Sequence, residues 1–167
     1  MKILGIDPGY AIVGYSILRC IGGKIVLEKC GVIETSSKMN FEDRLLYIFD
    51  SISDIIEEYC PSCVSIESLY FQNNQKTAIY VSQARGVILL AARKFGIKIF
   101  EYTPLQVKSS LTGFGRATKK QMILVTQHIL NMKEPVKPDD AADAIALAIC
   151  HFNTYKFQNI ISSKKFG

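Results

Sequence analysis

The chain of 167 residues is long enough to bury the core of one domain, and its 49% hydrophobic and 21% charged residues are typical of a globular protein. No stretch approaches the roughly 20 apolar residues of a membrane-spanning helix, and the N-terminus lacks a secretory signal pattern. We therefore expect one cytoplasmic domain over residues 1–167 with no membrane partner. The net charge of +5 is compatible with a nucleic-acid partner but does not require one.

The first part of the chain predicts three strands, over about residues 2–7, 12–20 and 24–34. Gly9 follows the first of them, and the pair Gly22-Gly23 follows the second. Glycines supply the backbone conformations that tight turns need, so this opening predicts an antiparallel meander.

Helices and strands alternate through the rest of the chain. Apolar residues recur with helical spacing after Asn40, a candidate N-cap, and "CVSIE" predicts a central strand. A helix over about residues 75–95 is apolar on more than one face, which suits contact with both the sheet and a second subunit. "GIKIFEY" predicts a fifth strand, two helices flank the loop "TGFGRA", and a last helix follows "KPDD". This order predicts an α/β fold, a ribonuclease-H-like mixed sheet of about five strands with helices on both faces.

The cysteines and histidines do not indicate a zinc site. "CPSC" at residues 60–63 has the spacing of a redox or zinc motif, but it follows a predicted helix, precedes a strand and has no second pair. We interpret the five cysteines as buried, reduced thiols and "CPSC" as structural. Neither His128 nor His151 is close in sequence to an acidic motif.

Four acidic residues stand where buried elements end or begin. Asp7 ends the first predicted strand and Glu67 the fourth, although Asp-Pro-Gly is also a good start for a turn. Asp140 and Asp143 share one face of the last helix, "PDDAADAIALAIC". An acid in a first turn complements the helix dipole, which accounts for Asp140 alone. Asp143 lies one turn into an apolar helix, where an unpaired carboxylate is costly.

Together, these four acids favour a metal site. Neighbouring parallel strands end side by side, and two carboxylates about 4 Å apart repel by roughly 4 kcal/mol at an effective dielectric constant near 20. Such a cluster binds either protons or divalent cations. Oxygen ligands alone favour Mg²⁺ or Mn²⁺ over zinc or copper.

Basic and aromatic residues near these acids suggest a polyanionic ligand. The segment "QVKSSLTGFGRATKKQM" carries four basic residues, Lys108, Arg116, Lys119 and Lys120. Each alone is ordinary solvated surface, but as a group beside a metal pocket they would bind backbone phosphates. Tyr70 and Phe71 follow Glu67 closely. Such residues are more often part of a core, but at the lip of a cleft they would stack on an unpaired base.

Four segments in order resemble the RuvC family of Holliday-junction resolvases. They are "IDPGYAIVGYSI", "IESLYF" followed by "SQARGVILLAA", "QVKSSLTGFGRATKKQM", and "PDDAADAIALAICH". The resemblance covers roughly residues 1–152, and the tail after His151 matches no pattern that we can interpret. The first segment alone also resembles phosphate loops of actin-like ATPases, whereas four in order are highly specific.

The resemblance implies roles for individual residues. The family's four catalytic, metal-binding acids match Asp7, Glu67, Asp140 and Asp143, and its two functional lysines match Lys108 and Lys119. Tyr70 stands where the family usually has phenylalanine beside the junction, so a ring for stacking is kept. Asp139 is a neighbouring acid, but the family pattern and the spacing to Asp143 favour Asp140.

The resemblance also implies an activity. The family's members are homodimers that bind a four-way DNA junction and nick two strands symmetrically, in recombination and repair. The chemistry is two-metal hydrolysis with two Mg²⁺ ions per subunit, for which Mn²⁺ can substitute, and a branch-migration motor is a further partner.

Three alternatives stay open. A related ribonuclease-H-like nuclease would share the acids but act on another nucleic acid. An actin-like ATPase needs a second phosphate loop and more residues than this chain has. A junction-binding module without catalysis is disfavoured by the presence of all four acids.

Overall fold

The computed structural model describes residues 1–68 and 75–164. In that part of the chain, five strands form one sheet: β1 (Lys2–Asp7), β2 (Ile12–Ile21), β3 (Lys24–Glu34), β4 (Cys63–Glu67) and β5 (Lys98–Tyr102). The helices there are α1 (Phe41–Tyr59), α2 (Gln75–Lys94), α3 (Pro104–Thr112), α4 (Lys119–Leu130) and α5 (Asp139–Lys164).

The sheet is mixed, with the spatial order β3-β2-β1-β4-β5. β1 pairs antiparallel with β2, and β2 with β3, which confirms the predicted meander. The turn between β2 and β3 uses Gly22 and Gly23, both at positive φ, as a two-residue hairpin of this kind requires. β4 runs parallel to both β1 and β5, so these three strands end at the same edge of the sheet.

Helices cover both faces of the sheet, as predicted. Side chains alternate between the faces of a strand, and the isoleucines of β1 show this alternation. Ile6 packs with the core that includes buried residues of α1 and α2. Ile3 packs instead with the buried residues of α3 and α5. Asp7, four residues after Ile3, therefore faces the α5 side.

Helix α5 packs very close to the sheet because two glycines lie beneath it. A Cβ atom on Gly5 would collide with the carbonyl oxygen of Ala144, and one on Gly14 would collide with that of Asp140. The residues from Ala141 to His151 are buried except for Asp143, which confirms that this helix is enclosed nearly all round.

Two buried serines fasten α5 to the sheet. The Ser16 hydroxyl of β2 donates to the carbonyl oxygen of Ala144 at 3.0 Å, and the Ser65 hydroxyl of β4 donates to that of Leu147 at 2.7 Å. Both bonds use backbone carbonyls that the helix leaves accessible toward the sheet. They fix the position of α5 over β2 and β4, the two strands that flank β1.

Two details differ from the expectations. Asn40 occupies the N-cap position of α1, but its side chain makes no capping hydrogen bond and instead lies 3.4 Å from Asp43. Cys60 is exposed at the end of α1, whereas Cys63 is buried in β4. All five cysteines are free, and only Cys63 and Cys150 are buried, so the expected burial holds for two of the five. Across residues 1–68 and 75–164, none of the helices has the length and apolarity that a membrane crossing requires.

Candidate active site

A pocket of about 250 Å³ opens at the edge where β1 and β4 end. Three acids and two lysines line it: Asp7, Glu67, Asp143, Lys108 and Lys119. Apolar side chains from α3, α4 and α5 form the rest of its wall. The structure thus brings together five of the six residues expected to be catalytic.

Strand register places the first two acids side by side. Ile6 and Ile66 are direct partners in the parallel β1–β4 pair, and each is followed by an acid. Asp7 and Glu67 therefore lie at neighbouring strand ends and on the same face of the sheet, the face that α5 covers. Asp7 is also the cross-strand partner of Gly14, which lies beneath the start of α5.

The other two acids come from the first turns of α5. Asp143 lines the pocket with about half of its side chain exposed, 50%. Asp140 does not line the pocket, although its charge contributes to the raised pKa of Asp7. Its role as a metal ligand stays a prediction.

The acids of the pocket destabilise one another's ionised forms. Burial raises the pKa of Asp7 to about 7, and the charges of Glu67, Asp143 and Asp140 add to this effect, while Lys119 opposes it. Burial and then the charge of Asp143 raise the pKa of Glu67, with Lys108 opposing. The pKa of Asp143 is raised by its partial burial against the effect of Lys119. A carboxylate cluster of this kind is relieved by protons or by a cation.

The donor set fits Mg²⁺ or Mn²⁺, which prefer carboxylate oxygens. As the side chains stand, however, no three acids, histidines or cysteines of the described residues converge closely enough to hold one ion. The ammonium nitrogen of Lys119 instead lies 2.9 Å from Asp139 Oδ2 and 3.5 Å from Asp143 Oδ2. A divalent cation bound through Asp143 would thus compete with Lys119 for this carboxylate.

The two pocket lysines stand on helices with well-defined starts. Lys108 lies in α3 and Lys119 is the first residue of α4, and each helix begins with a complete capping box, formed by Thr103 with Gln106 and by Thr118 with Gln121. Gly113 ends α3 at a positive φ of 82°, which leads the chain into the intervening loop.

The remaining predicted DNA-binding residues lie beside the pocket or outside the described chain. Arg116 and Lys120 are exposed on the α3–α4 loop and on α4 and do not line the pocket. Tyr70 and Phe71 lie outside the described residues.

Sequence reasoning missed an arginine that holds the turn after Asp7. Arg44 Nε of α1 donates to Thr35 Oγ1 at 2.8 Å, and Arg44 Nη2 donates to the carbonyl oxygen of Tyr10 at 3.2 Å. The Thr35 hydroxyl donates to the same carbonyl at 2.8 Å, and the guanidinium lies 4.8 Å from the centre of the Tyr10 ring. Nothing in the local sequence separates Arg44 from a solvated helical arginine.

A second missed arginine fastens the end of β4. Arg85 Nε of α2 donates to the carbonyl oxygen of Glu67 at 3.3 Å, and its guanidinium lies 2.7 Å from the Glu101 carboxylate of β5. This residue did leave a signal in the sequence, because it is a lone charge inside the apolar stretch "SQARGVILLAA".

The chain is similar to known proteins over nearly its whole length. The family whose sequence profile matches residues 3–151 is described as crossover junction endodeoxyribonuclease RuvC. A protein of that description from Ruminiclostridium cellulolyticum is 46% identical over 166 residues, which is 99% of this chain and 100% of the relative.

Two solved structures are also similar. The Thermus thermophilus RuvC structure has a TM-score of 0.89 at 30% identity, covering 95% of this chain and 97% of its own. T. thermophilus RuvC in complex with a Holliday junction substrate has a TM-score of 0.86 at 28% identity, covering 94% and 96%.

Proposed function

Because the chain belongs to the RuvC family of crossover junction endodeoxyribonucleases, we propose that it resolves four-way DNA junctions by metal-dependent hydrolysis of phosphodiester bonds. One observation carries this proposal beyond family membership. Acids from β1, β4 and α5 and lysines from α3 and α4 meet in one pocket at the edge of the sheet. Carboxylates suit divalent cations, and the lysines suit the phosphates of DNA.

In the proposed mechanism the acids hold the cations and the lysines hold the phosphate. Two Mg²⁺ or Mn²⁺ ions, when bound, supply an activated water and a charge that stabilises the leaving 3′ oxygen. Asp7 would be the central ligand, because the charges of Glu67, Asp143 and Asp140 all raise its pKa. Glu67, Asp140 and Asp143 complete the ligand set.

The two lysines are positively charged, so they would act on the negatively charged phosphate. Lys108 lies close enough to Glu67 to oppose the rise of its pKa, and Lys119 pairs with Asp143. Both ammonium groups therefore lie beside the acids that would hold the cations, where they would offset the negative charge that develops on a phosphate in the transition state. The exposed side chains of Arg116 and Lys120 would bind phosphates farther along the DNA backbone.

We also propose a homodimer whose subunits pair through α2. One side of this helix packs on the sheet through Ala84 and Ile88. On the other side, Ile79 is 58% and Leu90 62% exposed, and a Cβ atom on Gly86 between them would meet no atom within 4 Å. This exposed stripe, whose polar member is Gln83, has a glycine near its middle and so suits close contact with an identical helix.

Two-fold symmetry suits the substrate, because each subunit would then nick one of two equivalent strands. A branch-migration motor as partner remains an expectation based on the family alone, and a cytoplasmic location remains an expectation based on the sequence.

Cleavage of an end-labelled four-way junction with a mobile branch point tests the proposal. Linear duplex, single strand and an RNA–DNA hybrid serve as comparison substrates, each with Mg²⁺ and with a chelator. We expect paired, symmetric, metal-dependent nicks in the junction alone. Cleavage of the hybrid or of single strands would assign the pocket to a different ribonuclease-H-like nuclease, and tight binding without cleavage would indicate an inactive junction-binding module.

The variant Asp7→Asn tests the metal site within the same assay. It should bind the junction without cutting it. In the absence of DNA, Mg²⁺ should raise the melting temperature of the wild type and leave that of Asp7→Asn nearly unchanged, because a ligand that binds only the folded state stabilises it. Cleavage by Asp7→Asn at the wild-type rate would contradict the assignment of the metal site.

A further inference from the structure

One acid beside the pocket, Asp139, has no part in the mechanism above. The ammonium nitrogen of Lys119 lies between two carboxylates, 2.9 Å from Asp139 Oδ2 and 3.5 Å from Asp143 Oδ2. Asp139 and Asp143 are four residues apart in α5 and so share one face of the helix. In the described part of the chain, Lys119 forms ion pairs with these two acids only.

The two acids have different surroundings. Asp143 lines the pocket, whereas Asp139 does not and is the first residue of α5. The side chain of Asp139 is 61% exposed and lies outside the pocket. Its carboxylate can therefore stay paired with the Lys119 ammonium when a cation enters the pocket. Asp139 is also the nearer of the two to the ammonium.

The backbone of Lys119 is fixed, so its partners determine where the ammonium lies. Thr118 accepts a hydrogen bond from the amide of Gln121 at 3.3 Å, and the Gln121 side chain accepts one from the amide of Thr118 at 2.9 Å. This capping box fixes the first turn of α4. The side chain of Lys119 is 53% exposed and long, so it can follow whichever carboxylate attracts it more strongly.

We propose that Asp139 is a positioning residue that holds the Lys119 ammonium at the edge of the pocket and so leaves Asp143 available to a divalent cation. This inference rests on the proposed metal site. Without Asp139, Lys119 would pair with Asp143 alone and compete directly with the cation for it. With Asp139, Lys119 keeps a partner when Asp143 turns toward the cation, and it remains beside the pocket where a DNA phosphate would lie.

A double-mutant cycle on metal binding tests the inference. Wild type, Asp139→Asn, Lys119→Met and the double variant are titrated with Mg²⁺ and with Mn²⁺ by calorimetry, in the absence of DNA. Asp139→Asn should weaken metal binding about two- to five-fold, the range expected for one partly exposed ion pair. In the Lys119→Met background, the same substitution should have no effect, because no ammonium is left to compete.

Two matched variants, Lys120→Met and Asp139→Glu, serve as controls for the cycle. Lys120 is the next residue and is also exposed, but it forms no ion pair with Asp139, so Asp139→Asn should act equally in wild type and in Lys120→Met. Asp139→Glu keeps the charge and should retain near-normal metal binding. Melting temperatures in chelator establish that each variant is folded.

Cleavage provides a second readout. The rate of Asp139→Asn plotted against metal concentration should shift to higher concentration and recover at saturation, whereas mere structural damage would lower the rate at all concentrations.

The outcomes separate this inference from the proposed function. A wild type that binds neither Mg²⁺ nor Mn²⁺ would overturn the metal site and the inference together. A wild type that binds metal, combined with an Asp139→Asn effect that persists in Lys119→Met, would overturn the inference alone, because Asp139 would then act on the cation directly. Loss of the effect in Lys119→Met, with its retention in Lys120→Met, would support it.

Discussion

Asp7 and Gly14 are cross-strand partners, and the absent side chain of Gly14 leaves the space that the backbone of Asp140 occupies. The neighbour strand of the most perturbed acid, β2, is therefore in direct contact with the helix that carries two of the other acids. The geometry of the acidic pocket depends on this contact as much as on the acids themselves.

The substitution Gly14→Ala should damage both the fold and the pocket. The new methyl group would meet the backbone of α5 rather than the end of a flexible side chain, so helix or strand must shift. We expect a loss of about 1–3 kcal/mol in the free energy of unfolding, as in other overpacked cores, measured by urea denaturation. Mg²⁺ binding should also weaken, because α5 carries Asp143. Wild-type stability and wild-type metal binding in this variant would contradict the tight packing of α5 against Gly14.

The stability of the metal-free protein should depend on the charge of Asp7. Its pKa is about 7 in the folded protein against a usual value of 3.8, so the folded state binds this proton more tightly than the unfolded chain does. Stability is therefore lost as pH rises from about 4 to 7, by at most about 4 kcal/mol for a shift of roughly three pKa units.

Asp7→Asn removes this dependence. In chelator, the variant should be more stable than wild type at pH 8, and the difference should disappear near pH 4. Urea denaturation across this pH range measures the effect. A variant that is less stable than wild type at pH 8 would contradict the raised pKa.

Basic residues outside the pocket should contribute mainly to DNA binding, and those inside it mainly to DNA cleavage. Arg116→Ala and Lys120→Ala should each weaken junction binding and reduce the slope of log affinity against log salt by roughly 0.9, the value for one lost phosphate contact. Lys108→Ala should mainly reduce the cleavage rate at saturating protein, because Lys108 lines the pocket. Binding measured at several salt concentrations and single-turnover cleavage separate the two effects. Equal losses of rate in all three variants would contradict this division.

A charge in the exposed stripe of α2 should dissociate the proposed dimer. Leu90→Glu places a carboxylate on a leucine that is 62% exposed in the single chain, and its burial against a second α2 would be costly. Leu46→Glu on α1 is the matched control, because Leu46 is 58% exposed on a different helix. Sedimentation should give a monomer for Leu90→Glu and a dimer for Leu46→Glu. A dimeric Leu90→Glu would place the subunit contact elsewhere.

The order and type of the elements could be predicted because local patterns determine them. Gly22-Gly23 specifies a hairpin turn, and the spacing of apolar residues in α1 specifies a helix with one buried side. The acids of the pocket were also predictable, because side-chain alternation in β1 and β4 carries Asp7 and Glu67 to one face. Each of these inferences needs only a few consecutive residues.

The remaining features depend on contacts between distant parts of the chain. The need for glycine at position 14 arises only when α5 packs against β2. The bonds of Arg44 to Tyr10 and of Arg85 to Glu67 likewise join separate elements. The pairing of Lys119 with Asp139 joins α4 to α5, and neither residue type reveals its partner in the sequence.

The acids of the pocket come from opposite ends of the chain, with Asp7 in the first strand and Asp143 in the last helix. A ribosome therefore completes Asp7 and Glu67 long before it reaches the residue that joins them in the pocket. The pocket is incomplete until α5 has been made and has docked over β1 and β2. Any chemistry that needs the whole pocket therefore cannot begin before the last helix is in place.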